Sequence, residues 1–272
     1  MTNLKMFCLT MLPEHGELIN KLNYHPVGLG DKKFTNYFLT DKDGQNISHK
    51  NSHYGEYTFH YWIWKNNYSF PPNTWIGFCQ YRKFWTLKKT KFFSDKFQDF
   101  KKILITNIPK DFEPYESILG EPMFINDFKI SKLVKKNFFS IFKKPSLIFD
   151  KRKRNIKFHF DTMHGSGNLA KAIKLLPKQD RDDFENFVTT EVSFNPHNMF
   201  ICNSQEILFE YYNAVFPWLT KCENEFGFNL EGYGLKRLYG FLAERYMSFW
   251  FKKYTKFTTL PIVFKDISQF IL

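Results

Sequence analysis

The chain is short of cysteine and of acid. Its four cysteines, Cys8, Cys79, Cys202 and Cys222, lie far apart in 272 residues and show no CxxC spacing. That excludes a disulfide framework and argues against a structural zinc site, whose ligands usually arrive as close pairs. Reduced, buried thiols in a cytosolic setting are the expectation. Only 27 acidic residues oppose 39 lysines and arginines, which leaves a net charge of +12. A balance of that sign favours anionic partners: nucleic acid, an anionic membrane surface or phosphorylated small molecules. No window reaches about 18 uninterrupted apolar residues, so no spanning helix is expected. The opening MTNLKMFCLTMLPEHGE has no long apolar run before its proline and charges, which argues against a secretory leader. Internal repeats and RRM, KH or zinc-finger signatures are also missing.

What is present is hydrophobic and aromatic. Hydrophobic residues make up 43% and aromatics 20%, including 34 Phe, enough for a globular chain with a sizeable core. Phe, Lys, Asn, Ile and Tyr are abundant together, which is how a codon bias reads. Raw Phe and Lys counts therefore carry little functional weight. LKMFCLTML (4–12) reads as a buried strand. YHPVGLGD (24–31) follows with Pro26, Gly28 and Gly30, and reads as a tight loop where backbone would approach a ligand closely. TWIGFCQYRKFW (74–85) reads as a strand ending in polar residues. YESILGEPMFI (115–125) reads as a second strand, broken by a Gly-Glu-Pro turn. Residues 161–190 have a helical pattern, NMFIC (198–202) reads as a strand, and two helices and a short strand-like tail follow. Alternation of strands and helices predicts an α/β fold.

Four polar groups stand out. The first is NISHKN (46–51), ahead of the aromatic run Tyr57–Trp64. It reads as a capped helix entry that offers free N–H groups to an anion, with Asn46, Lys50 and Asn51 as donors and Glu56 at the seam. The second is QYRK at the end of the 74–85 strand. Ligands of open α/β sheets bind beyond the carboxyl ends of strands; Arg82 and Lys83 there would hold a diphosphate and Tyr81 would stack on a ring. DTMHGSGN (161–168) reads as a polar loop before a helix, with Asp161 and His164 able to bind or deprotonate a hydroxyl. In GFLAER (240–245), adjacent Glu244 and Arg245 project about 100° apart on a helix and need not pair. For each group a plain structural role (turn, surface cation, scaffold histidine) is the competing explanation.

Taken in order, NISHKNSHYGEYTFHYWIWKN, WIGFCQYRKFW, YESILGEP, NMFIC and GFLAERYMSFW resemble the DUF4422 family of capsular and exopolysaccharide glycosyltransferases. The resemblance covers roughly residues 24–86, 115–125 and 160–250. The chain departs from the family pattern at Gly55, where Cys is usual, and at Gln80 and Lys83, where the family carries His and Arg. Glu116 and Gly120 likewise replace an Asp and a Pro. The resemblance implies a GT-A-like nucleotide-sugar-binding domain, with a mixed central sheet flanked by helices. It implies transfer of a sugar from a UDP-hexose or UDP-galactofuranose type donor onto a capsule, exopolysaccharide or lipopolysaccharide glycan, free or lipid-linked. One domain over 1–272 is expected, interrupted by a basic, aromatic insertion at about 129–157.

On that reading the donor-binding residues are Gly28, Gly30, Asn46, Lys50, Asn51, Glu56, Tyr81, Arg82 and Lys83. Asn198 and Arg245 face the acceptor or sugar. The acid–base candidates are Asp161, His164 and Glu244, with Glu191 a further carboxylate. No Asp-x-Asp pair stands at a convincing strand end, since DKD (41–43) falls in a turn. No cofactor is expected, with cations doing a metal's work; bound manganese or magnesium is the alternative. A single-stranded nucleic-acid module and an inactive carbohydrate-binding relative are the competing classes, and no nucleic-acid partner is expected on the favoured reading. The expected location is the cytoplasm, at the inner face of the membrane, because residues 129–157 interleave Lys and Arg with Phe, Ile and Leu. Deleting 129–157 should release the protein from anionic vesicles in a sedimentation assay; undiminished binding would refute membrane docking by this segment.

Overall fold

The computed structural model describes residues 2–126 and 150–270. The 129–149 part of the basic insertion lies outside them. In chain order the first half gives β1 (Thr2–Thr10), α1 (Gly16–Lys21), β2 (His25–Gly28), β3 (Leu39–Thr40), α2 (Asn51–Tyr54), α3 (Tyr57–Lys65), β4 (Thr74–Gln80), β5 (Lys83–Trp85), α4 (Phe97–Ile103), β6 (Asn107–Ile108), β7 (Ser117–Gly120) and β8 (Met123–Phe124). The second half gives α5 (Ile156–His164), α6 (Asn168–Lys174), α7 (Lys178–Thr190), β9 (Ser193–Phe194), β10 (Phe200–Cys202), α8 (Gln205–Phe226), α9 (Tyr233–Lys236), α10 (Leu238–Tyr254), β11 (Phe257–Leu260) and β12 (Ile262–Phe264). The chain divides into two compact units. One comprises Met1–Glu121, His197–Ala214 and Trp250–Leu272; the other comprises Pro122–Pro196 and Val215–Phe249.

The first unit holds a ten-stranded mixed sheet, whose main path runs β11-β7-β10-β4-β1-β2-β3. β1 is its backbone. It pairs in parallel with β4 over Asn3↔Thr74 to Leu9↔Gln80 and with β2 over Phe7↔His25 to Thr10↔Gly28. Side chains alternate across the pleat. Leu4, Met6 and Cys8 of β1 join Trp75 and Cys79 of β4 and Ile201 of β10 in one core layer, with Phe84, Trp85 and Phe100. Phe7 and Phe78 face the other way, stacked at 5.6 Å, against Phe59 of α3 and Phe70. Gly77 fits the centre of this sheet because a Cβ there would come within 2.8 Å of Met6 Cε and 3.2 Å of Ile201 Cγ1.

α3 brings polar groups into that second layer. His60 is fully buried, its Nδ1 2.6 Å from Tyr212 Oη, its ring 4.4 Å from Phe78. Its Nε2 has no partner among the described residues. Desolvation pushes its pKa down to about 3, so the ring is neutral. Tyr57 and Tyr211 share a hydroxyl–hydroxyl bond of 2.5 Å beside it.

The second unit is helical around one ribbon. β8 and β9 pair antiparallel, Met123↔Phe194 and Phe124↔Ser193. Phe184 of α7 packs on Trp218, Tyr246 and Phe249. Two bonds tie that core: Tyr246 Oη to Asp180 Oδ2 at 2.7 Å and Trp218 Nε1 to the Ala172 carbonyl at 2.7 Å.

Several elements differ from the sequence reading. His25–Gly28 is a strand: Pro26 is tolerated because β3 pairs only with Val27 and Gly28, leaving Pro26 bonded on one side. The 74–85 run is a hairpin, turning at Tyr81-Arg82 between β4 and β5, with Gln80 opposite Lys83. Residues 46–65 do not form one helix with a polar start. A 3-10 turn at Ser48–Lys50 leads into four-residue α2, and Gly55 (φ 57°, ψ −130°) ends it, a backbone state a side chain would strain. Asn51 bridges the break by donating Nδ2 to the Gly55 carbonyl and to Thr58 Oγ1. Asp161 and His164 lie in the last turn of α5 rather than in a loop.

His60 generates a pH prediction. Its folded pKa lies below its unfolded value near 6.5, so the unfolded chain takes up the proton first. Stability should be full above that value and fall as pH drops towards 3. His60→Gln should flatten the slope of unfolding free energy against pH in this window by about 1.4 kcal/mol per pH unit, measured by urea denaturation between pH 4 and 7. An unchanged slope would contradict the neutral buried assignment.

Candidate active site

The strand order β3-β2-β1-β4 has a direct consequence. The chain lays β1, β2 and β3 outward in one direction, then returns to place β4 on the other side of β1. All four run parallel. The carboxyl ends of β1 and β4 are therefore a topological switch point, where open α/β sheets bind ligands. β1 ends at Thr10; β4 ends at Gln80, followed by Tyr81 and Arg82.

Gln80 is the hub there. Its Nε2 donates to Glu56 Oε1 at 2.9 Å and to the His197 carbonyl at 2.8 Å, and its Oε1 accepts from Lys83 Nζ at 2.9 Å. One uncharged side chain thus joins a carboxylate, an ammonium and a backbone carbonyl from three separate stretches of sequence. His197 and Asn198 both have positive φ, 81° and 54°. Two such residues in succession are costly and hold only where the surroundings fix them. Burial, with Lys83 adding to it, pushes His197 down to about 3, so that ring is neutral too.

The Tyr81-Arg82 turn is held from the other side. Tyr81 N–H donates to the Leu9 carbonyl, while Ile267 N–H and Lys265 N–H donate to the carbonyls of Tyr81 and Arg82. Arg82 lies over the Tyr81 ring at 4.7 Å and its Nε bonds Asp266 Oδ2 at 2.7 Å. The Arg82 side chain is 59% exposed, so this ion pair is screened and weak. Burial pushes the Asp266 carboxyl up, but bonds from Ser268 and Arg82 outweigh it and leave its pKa lowered. Behind Tyr81, buried His15 sits between Thr10 Oγ1 and Ser268 Oγ, each at 2.7 Å. Burial lowers its pKa against the pull of Asp266 and Glu14.

Of the residues singled out in the sequence, Glu56, Tyr81, Arg82, Lys83 and Asn198 meet at or beside this hub. Gly30 and Asn51 are also neighbours: a Cβ on Gly30 would lie 3.9 Å from Asn51 Oδ1. Asn46 is not available as a donor-binding group. Its Oδ1 accepts from Ser48 N–H and Oγ, and its Nδ2 donates to the carbonyls of Lys42 and Gly44. Lys50 closes a 3-10 turn rather than a long helix's first turn. The face of Gly28 is filled by the Phe34 ring, 2.4 Å from where a Cβ would be.

Asp161, His164, Glu244 and Arg245 belong to the second unit. Asp161 accepts from Lys157 Nζ at 2.6 Å and from Gly167 N–H at 3.1 Å, fastening the glycine loop. His164 is buried, its ring 3.9 Å from Phe241, and Nδ1 donates to the Gly234 carbonyl at 3.0 Å. Glu244 and Arg245 do pair with each other, contrary to the helical-angle expectation. Long side chains close the angle their Cβ atoms open. Arg245 is buried over Phe194 at 4.1 Å and donates from Nη2 to His159 Nδ1 at 3.3 Å. Burial lowers its pKa while Glu244 raises it. Among the described residues no group of three or more His, Cys, Asp or Glu could hold a metal ion, and no helix is long and apolar enough to cross a membrane.

The hub role of Gln80, and His15, His197, Asp266 and Ser268, went unread in the sequence. A neutral amide carries no motif signal, and His15 and Ser268 are 253 positions apart.

The sequence model of DUF4422, described as a domain of unknown function, matches residues 9–256. The structure is similar to the apo structure of the WbbM bifunctional glycosyltransferase, with a TM-score of 0.68 at 20% sequence identity. The match covers 96% of this chain and 45% of that one, so the chain spans under half the length of that protein. At this identity the likeness establishes the fold. No curated protein matches by sequence.

The two sides of the site should respond differently to mutation. Gln80→Leu breaks three half-buried hydrogen bonds and should cost about 1–3 kcal/mol. Arg82→Ala removes an exposed pair and should cost under about 1 kcal/mol. Urea denaturation of both variants checks this, and a larger loss for Arg82→Ala would overturn the hub assignment.

Proposed function

The chain belongs to the DUF4422 family, and from that membership and the switch-point cluster we propose that it is a glycosyltransferase. It moves a sugar from a nucleotide-sugar of the UDP-hexose or UDP-galactofuranose type onto a capsule, exopolysaccharide or lipopolysaccharide glycan. The observation that carries this is the Gln80 hub with the Arg82 turn: two cations, a carboxylate and a stackable ring at the carboxyl ends of β1 and β4. The fold likeness to WbbM supports the same reading.

Glycosyl transfer passes through an oxocarbenium-like transition state while negative charge builds on the departing diphosphate. Arg82 and Lys83 meet that charge. Arg82 is held by a screened pair with Asp266, which a diphosphate replaces at small cost. Lys83 is aimed by the Gln80 carbonyl, an acceptor that leaves its charge intact. Preorganised cations of this kind act only where charge develops, and so lower the barrier. For deprotonation of the acceptor hydroxyl the candidates are Asp161, His164, Glu191 and Glu244. Asn198, beside the hub, is proposed on the sugar side.

A panel of UDP-, GDP- and CMP-sugars, assayed for nucleotide release with and without acceptor glycan, tests the activity. Arg82→Ala and Lys83→Ala should each lower kcat by about 10²–10³. Asp161→Asn, His164→Gln, Glu191→Gln and Glu244→Gln are assayed singly: the base is the one whose loss abolishes transfer, and an unchanged rate removes a candidate. Turnover should survive EDTA; loss restored by manganese would refute the cation-only account, and donor binding without turnover would show an inactive carbohydrate-binding protein.

A further inference from the structure

The side chain of Asp41 is out of place as a scaffold residue. It follows β3 directly, is fully buried, and neither carboxylate oxygen has a hydrogen-bond partner among the described residues. Thr58 lies beside it, but the Thr58 hydroxyl gives its proton to the Gly55 carbonyl at 3.1 Å and accepts from Asn51 Nδ2. Burial pushes the Asp41 carboxyl above its ordinary range, against the weaker pulls of Thr58, its own backbone N–H and Lys42, none of which makes a hydrogen bond of good geometry to it. A buried carboxylate without donors is strongly unfavourable. A fold keeps such a group where something else supplies the donors.

Its position says what that is. β1, β2 and β3 are consecutive parallel strands, and their carboxyl ends carry Met11, Gly30 and Asp41 in turn. Gly30, at φ 77°, lets the backbone pass close: a Cβ there would crowd Met11 Cε at 3.3 Å and lie 3.9 Å from Asn51 Oδ1. Asn51 in turn bonds Thr58, the neighbour of Asp41. Strands are about 4.8 Å apart, so β3 ends roughly 10 Å from the end of β1. That is comparable with the span from the distal phosphate to the ribose of an extended nucleoside diphosphate. A carboxylate with two open oxygens wants two O–H donors side by side. A vicinal diol presents them, whereas a base edge usually sets a donor beside an acceptor that would repel it.

We propose that Asp41 binds the ribose 2′- and 3′-hydroxyls of the donor nucleoside, an assignment that rests on the glycosyltransferase reading. The group is sealed in the ligand-free protein. Binding therefore includes displacement of the 29–38 loop, which is tied to the residue after Asp41 by an exposed bond from Lys42 Nζ to the Lys32 carbonyl.

The test needs no turnover. Thermal shifts and calorimetry with UDP, GDP and the matching 2′-deoxynucleoside diphosphates are measured on the wild type and on Asp41→Asn. The expected result is at least tenfold weaker binding of the ribonucleotide to Asp41→Asn, with a ligand-free Tm equal to or above the wild type. The 2′-deoxynucleotide should bind the wild type at least tenfold more weakly, and the two nucleotides should bind Asp41→Asn alike. Wild-type discrimination against the deoxynucleotide is read without any variant and so is immune to misfolding. Equal binding of ribo- and deoxynucleotides by the wild type, or undiminished binding by a folded Asp41→Asn, refutes this assignment alone. Failure of every nucleoside diphosphate to bind the wild type refutes it together with the glycosyltransferase reading.

Discussion

The parallel pairing of β1 with β4 is the constraint on which the candidate site depends. Seven residues of β4 are in register with β1, ending at Leu9 opposite Gln80. That ending decides where the polar chain begins. The Tyr81 N–H still reaches the Leu9 carbonyl, so the ladder continues one step into the turn. Tyr81 and Arg82 are therefore fixed to the sheet rather than swinging on a loop. A slip of one residue would exchange the two faces of β4. It would drive Phe78 into the Trp75 and Cys79 layer and break the Phe7–Phe78 stack. The apolar core thus enforces the register, and the register aims the polar cluster.

The choice of an amide at position 80 follows from the charges around it. Glu56 needs a donor and Lys83 needs an acceptor, both with partial burial. An arginine there would serve the first and repel the second; a glutamate would do the reverse. Glutamine does both without adding charge and has a second N–H left for the His197 carbonyl. That last bond holds a backbone stretch in which two successive residues occupy the left-handed region. The hub therefore couples electrostatics to backbone geometry. Two histidines, His15 and His197, flank the arrangement, and burial lowers the pKa of each near the cations.

How much of this could be read from sequence depended on the range of the interactions. β1, β4 and the break of 115–125 were legible because apolar runs and Gly-Pro punctuation are local signals. QYRK at a strand end was legible for the same reason. The break at Gly55 was not, since a helical pattern runs through 46–65 and one glycine does not reveal its φ. His25–Gly28 misled because Pro and Gly signal a loop, while the strand survives by pairing lightly on one side. Adjacent Glu244 and Arg245 misled because Cβ directions say little about where long side chains end. The Gln80 hub and the Thr10–His15–Ser268 chain join residues 5 to 253 positions apart, and no local pattern encodes them.

The segment after β12 shows how far such non-local control extends. Lys265, Asp266, Ile267 and Ser268 contain no recognisable motif. Yet two backbone N–H groups bond the Tyr81 and Arg82 carbonyls, Asp266 takes the Arg82 guanidinium, and Ser268 takes His15. The β12–β5 pairing, Ile262↔Trp85 to Phe264↔Lys83, anchors the segment beside the hairpin it supports. Backbone bonds of this kind are insensitive to side-chain identity, so Lys265 and Ile267 hold the turn through their path alone, while Asp266 and Ser268 act through their side chains. Arg82 illustrates the division of labour. Its backbone is fixed by paired N–H groups, and among the described residues its side chain is held by the Tyr81 ring face and the half-buried Asp266 carboxylate. The anchor is stiff and the charge is exchangeable, which is the combination a site needs if it is to hold a diphosphate and then release it.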